Sequence, residues 1–368
     1  MNLFVLLVLL FAVSEAVLTV VQFLLRKRSF KPAVRVVLIV CKLLLAIAFA
    51  VLVLAGPVQL RVVQPLMMAA YVALFADGVA DLCYGLFCHF SGKKRSFGGE
   101  KVISLVFGAA FLVFGILNMQ TVSAKYHTIT SEKLKNVHKI VFAADIHVGS
   151  AQPFSVTQKT VEAIKSEQPD AVVLGGDICD DYTTKAEMQD TFALFKDFGC
   201  PVYYVYGNHD LQGHAEYANG LQYTEAEFEQ SITQNGIMIL RDSFAQIGSD
   251  VLLLGREDFS AGEKRMNAED IINPLPEAYL VVADHQPGGA KDNLAVGTDL
   301  QISGHTHAGQ LFPLRWFYAL IGYVYGEYQV EDATLVVSAG TCGWRMPLRT
   351  EAHCQYDVIT LKPEAPQN

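Results

Sequence analysis

Long apolar runs fill the first third of the chain and then stop. Four of them, residues 2–25, 33–55, 64–90 and 102–119, contain few polar side chains. At ~1.5 Å per residue, a helix of this length can cross the ~30 Å apolar layer of a bilayer. The pattern therefore predicts a four-span membrane region over residues 1–120.

After residue 120 the apolar runs become shorter, and their spacing is typical of strands or of helices. Strands and helices first alternate, and strands then follow one another with few helices between them. This change favours an α/β or α+β fold with two sheets and helices on their outer faces. We expect a linker over 121–137 and a folded domain over 138–368. The expected strands cover 139–144, 171–174, 202–206, 251–254, 279–283, 300–302, 334–338 and 356–361, and the expected helices cover 156–165, 186–198 and 225–233.

Charge is distributed unevenly between the two parts. Residues 1–120 hold 11 Lys and Arg against 4 Asp and Glu, a net charge of +7, and the other 248 residues hold 17 against 33, a net charge of −16. An acidic domain argues against nucleic acid as a partner, because phosphate-backbone binding needs a basic face. The basic loops between spans one and two and between spans three and four predict a cytoplasmic location for both loops, which places the folded domain outside the cytoplasm. These loops contain Arg26, Lys27, Arg28, Lys31 and Arg35, and Lys93, Lys94, Arg95 and Lys101.

Four charged residues lie inside the predicted spans: Glu15, Lys42, Asp77 and Asp81. Charges at membrane depth are costly and mark either an internal ion pair or a functional path. Asp77 and Asp81 are four residues apart, so they share one helix face. A structural pairing with Lys42 is the favoured interpretation, and a lipid head-group or ion site is the alternative.

Seven cysteines are present, none of them in a C-x-x-C spacing, so the sequence gives no sign of a zinc ribbon or a thioredoxin-type site. Cys179, Cys200, Cys342 and Cys354 belong to the acidic domain. They could pair as disulfides if that domain is exported, or remain buried as free thiols that pack like small apolar side chains.

Residues with metal-binding side chains gather where the predicted strands end. Ligands bind at the carboxyl ends of strands in α/β folds, so these side chains are expected to share one cavity. Each motif is weak alone, but five in order are hard to explain as turns. The motifs are Asp145-x-His147, Gly176-Asp177-x-x-Asp180, Gly207-Asn208-His209-Asp210, His285 and Gly304-His305-Thr306-His307.

This ordered set resembles the calcineurin-like metallophosphoesterase superfamily over about residues 138–362. The membrane anchor and the tail from Gly340 to Leu361 are similar to the bacterial YkuE/YaeI-type branch, some of whose members are linked to lipid or UDP-diacylglucosamine substrates. The resemblance implies a four-layer αββα sandwich of two mixed sheets and a centre of two divalent metal ions. Asp145, His147 and His307 would hold one ion, Asn208, His285 and His305 the other, and Asp177 would bridge both.

Two cations ~3.5 to 4 Å apart need a shared carboxylate between them, which explains the bridging aspartate. A hydroxide that bridges the two metals would then attack the phosphorus in line. Nitrogen and oxygen ligands without thiolate suit Mn²⁺, Fe or Zn²⁺ and do not select among these metals.

Further residues are given roles, His209 through the same resemblance and the others from their own chemistry. His209 would protonate the leaving oxygen or stabilise charge on the phosphorus, with Asp210 or Asp180 orienting its ring, unless its role is purely structural. Arg345 and Arg349 are candidates for binding a non-reacting phosphate, and ordinary surface arginines are the alternative. The aromatic segment 312–328 is either a lip that rests on the bilayer or a core segment that covers the sheet edge.

The sequence thus predicts a membrane-bound dinuclear phosphoesterase that acts on phosphate mono- or diester or pyrophosphate bonds. A lipid-linked phosphate or pyrophosphate is the favoured substrate, because the anchor holds the site near the bilayer. The first rival is a tethered phosphatase or phosphodiesterase for soluble nucleotides or wall polymers. The second is a non-catalytic scaffold or a transport-related protein, for which degenerate ligands would be the signature. The sequence does not predict the oligomeric state.

Overall fold

The structure, a computed structural model, describes residues 13, 16–21, 24, 31–55, 64–92, 99–213 and 220–365. The chain divides into two compact units, Met1–Ile116 and Leu117–Asn368. The first unit contains the helices α1 (Pro32–Ala55) and α2 (Gln64–Ser91) and most of α3 (Gly99–Met119). All three helices are long and apolar enough to cross a membrane, as predicted. Most of the other expected span, residues 2–25, lies outside the described residues.

An ion pair joins two of these helices inside the first unit. Lys42 on α1 donates to Asp77 on α2, and both side chains are buried. Asp81, one turn further along α2, is also buried. Because the ammonium group and the carboxylate neutralise each other, the pair lowers the cost of placing either charge at membrane depth. The favoured structural pairing of Lys42 is therefore present.

The second unit is built on two six-stranded sheets, and both are mixed. In the first sheet the strand order is β1-β12-β2-β3-β4-β5, and only the β12–β2 pair is antiparallel. In the second sheet the order is β10-β11-β9-β8-β7-β6, with antiparallel pairs at its two edges. The strands are β1 (Val122–Ser131), β2 (His138–Ala143), β3 (Ala171–Leu174), β4 (Val202–Tyr204), β5 (Ile237–Ile239), β6 (Ser243–Ile247), β7 (Val251–Gly255), β8 (Tyr279–Ala283), β9 (Leu300–Ser303), β10 (Gly326–Val330), β11 (Ala333–Val337) and β12 (Cys354–Pro363).

The two sheets pack face to face, and the alternation along each strand assigns its side chains to one face or the other. On β2, Ile140 and Phe142 enter the core between the sheets, whereas Val141 and Ala143 enter the core beneath the outer helices. Val281 and Ala283 of β8 meet the first pair from the opposite sheet. A strand buried on both faces explains why these segments appear in the sequence as unbroken apolar runs.

The two outer layers differ. Three amphipathic helices, α4 (Phe154–Ser166), α5 (Lys185–Ala193) and α6 (Glu225–Thr233), cover the first sheet, and α5 and α6 both begin with a complete capping box. Over the second sheet, short 3₁₀ turns supply Ile271 and Val296 to the core. The predicted four-layer sandwich is therefore confirmed, with short turns in place of long helices on one side.

Residues 121–137, expected to be a linker, instead contain a ten-residue strand. β1 pairs in parallel with β12 from Val122 opposite Cys354 to Ser131 opposite Pro363. It is an edge strand with most of its side chains exposed or half-buried, so its sequence is polar enough to resemble a linker. β1 forms because it pairs with β12, which is distant in the sequence. The local pattern of residues does not reveal this pairing.

All seven cysteines lie in the described residues and carry free thiols. Cys179 packs in the core beneath the outer helices, and Cys342 and Cys354 pack together with Met119. Burial raises the pKa of these three thiols, so they remain protonated and behave as small apolar groups.

Candidate metal centre

The five motifs meet because their strands are neighbours. β2, β3 and β4 lie side by side in the first sheet and end at Ala143, Leu174 and Tyr204, just before the first three motifs. β8 and β9 are neighbours in the second sheet and end just before His285 and His305. Since parallel strands deliver their carboxyl ends to one edge, two sheets stacked face to face bring all five loops together.

Two groups of potential metal ligands result, each with its ligand atoms within 4.8 Å of one another. The first group is Asp145, His147 and His307, and the second is Asp177, His285 and His305. All are buried except His305, which is partly exposed. A third group of the same dimensions contains Asp180, Asp181 and His209.

Asp177 lies between the first two groups. Its Oδ2 is 3.1 Å from Nε2 of His285 and 3.7 Å from Nε2 of His147, which belong to different groups. Its Oδ1 accepts a hydrogen bond from the backbone amide of His209 at 2.8 Å. One carboxylate oxygen therefore faces both histidine sets while the backbone fixes the other, which is the geometry that a bridging ligand requires.

Several histidines have one ring nitrogen held by the protein and the other directed into the centre. Nδ1 of His285 donates to the Gly175 carbonyl at 2.8 Å, and Nδ1 of His307 donates to the Cys342 carbonyl at 3.2 Å. Nδ1 of His147 lies 3.0 Å from Oδ2 of Asp180. Such contacts select the tautomer whose Nε2 lone pair can bind a metal.

Unsatisfied polar atoms indicate what the cavity would hold. Nε2 of His147, Nε2 of His285 and Oδ1 of Asn208 are buried and have no hydrogen-bond partner among the described residues. Buried polar atoms are normally paired, because an unpaired one costs about 1–3 kcal/mol. All three atoms are donors of lone pairs, so divalent cations fit this set of residues.

Backbone strain is concentrated in the same loops. Asp145, His147, Asp177, His305 and His307 all have positive φ, between 44° and 71°. This left-handed region disfavours residues with a Cβ and is maintained only when the surrounding structure stabilises it, most often at functional sites. Five of the seven predicted ligands adopt it, which aims their side chains off the strand axes into one cavity.

Close backbone approach explains one glycine of the last motif. A Cβ at Gly304 would lie 2.4 Å from Oδ2 of Asp145. The amide of the next residue, His305, donates to both carboxylate oxygens of Asp145, at 3.0 and 3.1 Å. The loop from the second sheet thus contacts a ligand from the first sheet directly, and a larger residue at 304 would separate them.

The surroundings of His305 and His307 lower the pKa of both rings and so favour the neutral form. Burial and the neighbouring His285 lower the pKa of His305 to about 4, and burial together with His147 and Arg349 holds the pKa of His307 well below its usual range. Both rings are therefore neutral at pH 7, which is the metal-binding form. Burial also raises the pKa of Asp145 to about 6, and the adjacent charge of Asp177 adds to this effect.

The partner of His209 differs from the sequence prediction. Nδ1 of His209 is 2.7 Å from Oδ2 of Asp181, a residue that the sequence analysis did not name, and the ring packs against Trp344 with centroids 5.5 Å apart. Burial lowers the pKa of His209, but the hydrogen bond to Asp181 and the charges of Asp177 and Asp180 raise it to about 9. His209 is thus held in a fixed orientation and is protonated near neutral pH.

Asp180 and Asp210 were expected to orient His209, but Asp181 is the residue bound to Nδ1 of His209, and Asp180 lies nearby in the same group of side chains. Asp180 lies beside His147, as described above. Asp210 accepts three backbone amides, from Asp177 and Gly207 through Oδ2 and from Cys179 through Oδ1. A carboxylate that binds three amides at 2.7 to 3.0 Å holds the second and third ligand loops together and does not face His209.

The two arginines of the tail, Arg345 and Arg349, have different surroundings and different roles. Arg349 is fully buried, and its guanidinium donates to the carbonyls of Cys342, His307, Ala339 and Ala352. These donors are used within the protein, so Arg349 does not bind a phosphate as predicted but stabilises the loop that carries His307. Arg345 is half-buried beside Trp344, and its Nε has no partner among the described residues, so it remains a candidate.

Sequence reasoning missed two residues of the site. Asp181 directly follows the Gly-Asp-x-x-Asp motif, so its acidic neighbour was the available signal. Trp344 gives no such signal, because it reaches His209 from a loop more than one hundred residues away.

Comparison with known proteins agrees with this geometry. Residues 138–309 match the family profile described as calcineurin-like phosphoesterase, a segment that includes every predicted metal ligand. Residues 138–309 therefore form a calcineurin-like phosphoesterase domain. The phosphoesterase domain is therefore a metal-dependent phosphoester hydrolase, and such domains use a dinuclear divalent metal centre.

Relatives include membrane proteins and bacterial proteins. The chain is 29% identical over 288 residues to a zebrafish (Danio rerio) protein described as a transmembrane protein with metallophosphoesterase domain, covering 72% of this chain and 63% of that one. It is 26% identical to the uncharacterized metallophosphoesterase YkuE of Bacillus subtilis, covering 73% and 96%. It is 30% identical to an uncharacterized metallophosphoesterase of Helicobacter pylori, covering 63% and 62%. The chain thus spans less than two thirds of the zebrafish and Helicobacter relatives.

Proposed function

We propose that the whole chain is a membrane-bound hydrolase that cleaves a phosphoester or pyrophosphate bond of a lipid-linked substrate. The main support for hydrolysis at a two-metal centre is the position of Asp177. One of its carboxylate oxygens faces histidines of both ligand groups. This arrangement supports the assignment of Asp145, His147 and His307 to one metal and of Asn208, His285 and His305 to the other. Two divalent cations bound there would acidify a water molecule and offset the charge that develops on the phosphoryl group.

The protein groups around this centre have separable tasks. Asp177 fixes the spacing of the two ligand groups, and its Oδ1 is held by the His209 amide. Asp181 holds Nδ1 of His209 and so orients the ring, and we assign to Nε2 the delivery of a proton to the leaving oxygen. A pKa of about 9 keeps that proton on the ring until the leaving group needs it. Arg345 is the remaining candidate for binding a second anionic group of the substrate.

An exposed apolar surface supports the choice of a lipid-linked substrate. Trp316, Leu320 and Ile321 are 65%, 81% and 85% exposed, and Phe312 and Phe317 beside them are more than half exposed. We call these five residues the apolar lip; they follow the His305–His307 loop directly, on and around the short helix α7 (Leu314–Tyr318). A cluster of exposed tryptophan, phenylalanine and aliphatic side chains is typical of a surface that enters the membrane interface. The alternative, a core segment, does not agree with this exposure.

One loop of the second unit contacts both the last residues of α3 and the segment that leads to the apolar lip. The last turn of α3 belongs to the second unit, where Asn118 donates to the carbonyls of Arg349 and Glu351 at 3.2 and 3.0 Å. The side-chain amide of Gln310 donates to the carbonyls of Trp344, Met346 and Leu348, each at 3.1 Å. Loop 342–351 therefore contacts both the last residues of α3 and Gln310, which precedes the apolar lip by two residues.

The substrate class is tested with the full chain in phospholipid vesicles containing Mn²⁺. We expect phosphoester or pyrophosphate cleavage of a lipid-linked substrate at a higher kcat/KM than cleavage of soluble nucleotides or wall polymers. The Trp316→Ser/Ile321→Ser double variant should lose about tenfold or more in kcat/KM on vesicles, because each tenfold loss corresponds to about 1.4 kcal/mol and burial of one such side chain contributes about 1.5–3 kcal/mol. Its activity on a soluble phosphoester should stay at the wild-type level.

Ile272→Ser is the matched control, because Ile272 is equally exposed at 86% but lies outside the lip. This variant should leave both activities unchanged. Equal loss on vesicles for the control and the lip variant would contradict the membrane-contact role. A preference for soluble substrates would favour the tethered phosphodiesterase for nucleotides or wall polymers, and no hydrolysis of any phosphoester would contradict the proposed function.

We also propose that the phosphoesterase domain faces away from the cytoplasm. The support is the excess of Lys and Arg in the segments around residues 26–35 and 93–101, compared with Arg61 alone between spans two and three. A Glu263→Cys variant carries a thiol at an exposed position of the domain. It should react with a membrane-impermeant maleimide in intact right-side-out vesicles. Labelling that requires permeabilised vesicles would reverse the orientation.

A further inference from the structure

Asp284 is a buried acidic residue that lies between an apolar strand and the metal ligand His285. It follows the apolar strand β8 and precedes His285, and its carboxylate is fully buried. A buried carboxylate is costly unless charged or hydrogen-bonding groups surround it. Its partners therefore indicate what it does.

One partner is Arg265, which approaches from the long excursion between β7 and β8. Nη1 and Nη2 of Arg265 donate to Oδ1 and Oδ2 of Asp284 at 3.1 and 2.7 Å, a two-pronged contact with fixed geometry. The Arg265 side chain is 8% exposed, and its guanidinium lies 3.9 Å from the centre of the Phe259 ring. The excursion is thus fastened to the base of the His285 loop.

The other partner of Asp284 is Asn293, which is connected by hydrogen bonds to the strand before His305. Nδ2 of Asn293 donates to Oδ2 of Asp284 and to Oε1 of Gln301, each at 2.9 Å. Nε2 of Gln301 then donates to Oγ of Ser303 at 3.0 Å, two residues before His305. Asn293, Gln301 and Ser303 are all buried. A continuous polar chain therefore runs beneath the two histidines of the second ligand group.

We propose that Asp284 is a positioning residue that fixes His285 and His305 relative to each other, through Arg265 on one side and Asn293 on the other. It does not touch the reacting atoms. Within the described contacts, the side chains of Asp284, Asn293, Gln301 and Ser303 bind no member of the first ligand group directly. The first group is reached only through the His305 amide, which binds Asp145, so the larger effect is expected at the site of His285 and His305. The inference rests on the proposed dinuclear centre but not on the identity of the substrate.

Asp284→Asn is the direct test, because asparagine keeps the shape and loses the charge that pairs with Arg265. Mn²⁺ binding to the purified full chain is measured by calorimetry and by metal analysis after dialysis. We expect one site to weaken about 10- to 100-fold, the usual effect of losing a group that orients a ligand, while the other keeps its affinity. The binding curve should match that of His305→Ala and not that of His307→Ala.

Asp242→Asn is the matched control. Asp242 holds the same excursion at a different point, through Nη1 of Arg256 at 2.5 Å and the Met266 amide at 2.8 Å, but it contacts neither ligand loop. It should retain both Mn²⁺ sites. If Asp242→Asn loses Mn²⁺ as Asp284→Asn does, general loosening of the excursion explains the effect and the positioning role is wrong.

A second variant covers the case in which Asp284→Asn does not fold. Arg265→Lys keeps the charge but loses the two-pronged contact, and it should weaken the same single site by a smaller factor. Wild-type affinity at both sites in this variant would overturn the proposal. If the wild type binds two Mn²⁺ ions and the variants behave as expected, but no phosphoester is cleaved, the proposed function fails and the positioning role stands.

Discussion

Asp177→Asn should abolish hydrolysis and reduce the bound metal from two ions to one or fewer per chain. The carboxylate faces histidines of both ligand groups, at 3.1 and 3.7 Å, and no other described side chain has this position. Asparagine can offer one neutral oxygen but cannot neutralise two cations. Metal content is measured by elemental analysis after dialysis, and activity by phosphate release, which should fall to the rate of buffer with the metal alone.

Asp190→Asn is a suitable control for this variant, because Asp190 is an exposed carboxylate on α5. It should retain both ions and full activity. Thermal unfolding without metal separates a folding defect from a ligand defect. A folded Asp177→Asn protein that still binds two ions and turns over substrate would show that the two ligand groups act independently.

His209→Asn should lower kcat by about 10²- to 10⁴-fold, the range for loss of a general acid, with two metal ions still bound. The reason is that Nδ1 is held by Asp181, so the variant removes the proton donor but leaves the seven proposed ligands unchanged. The measurement combines steady-state kinetics with metal analysis of the same preparation. A substrate with a more acidic leaving group needs less protonation and should recover part of the lost rate.

His353→Asn controls for loss of a histidine from the same domain, since His353 is exposed. Its kcat should equal that of the wild type. Loss of both metals from His209→Asn would instead make His209 a structural or ligating residue. Equal rate losses for substrates with acidic and basic leaving groups would argue that His209 stabilises charge and does not donate a proton.

The first ligand group and its neighbours show how local strain and tertiary contacts cooperate. Asp145, His147 and His307 hold left-handed backbone conformations that each disfavour folding. The carbonyl of His307 is bound by Arg349, and the amide of His147 donates to the Asp177 carbonyl at 3.0 Å. These contacts maintain the strained loops, which explains why an arginine expected to bind substrate is used inside the protein.

Much of the fold follows from local pattern. The strands at 171–174 and 279–283 and the helix at 225–233 have the predicted bounds, because fully buried strands and capped amphipathic helices leave strong periodic signals. β1, β5, β6 and β10 escaped prediction. All four are edge strands with many exposed or half-buried side chains, so their sequences resemble loops until a partner strand is known.

The sequence by itself determined the two-part organisation, the membrane-length helices and the metal-binding motifs, because each depends on residue type and on spacing along the chain. Tertiary structure alone decided the partners. In the folded structure His209 is hydrogen-bonded to Asp181, and Asp210 accepts hydrogen bonds from three backbone amides. Arg349 is buried and donates to backbone carbonyls. Tertiary structure also linked Asp284 to Arg265, which are nineteen residues apart in the sequence. Buried polar groups take whichever partner the packed backbone brings within about 3 Å, and no local spacing records that distance.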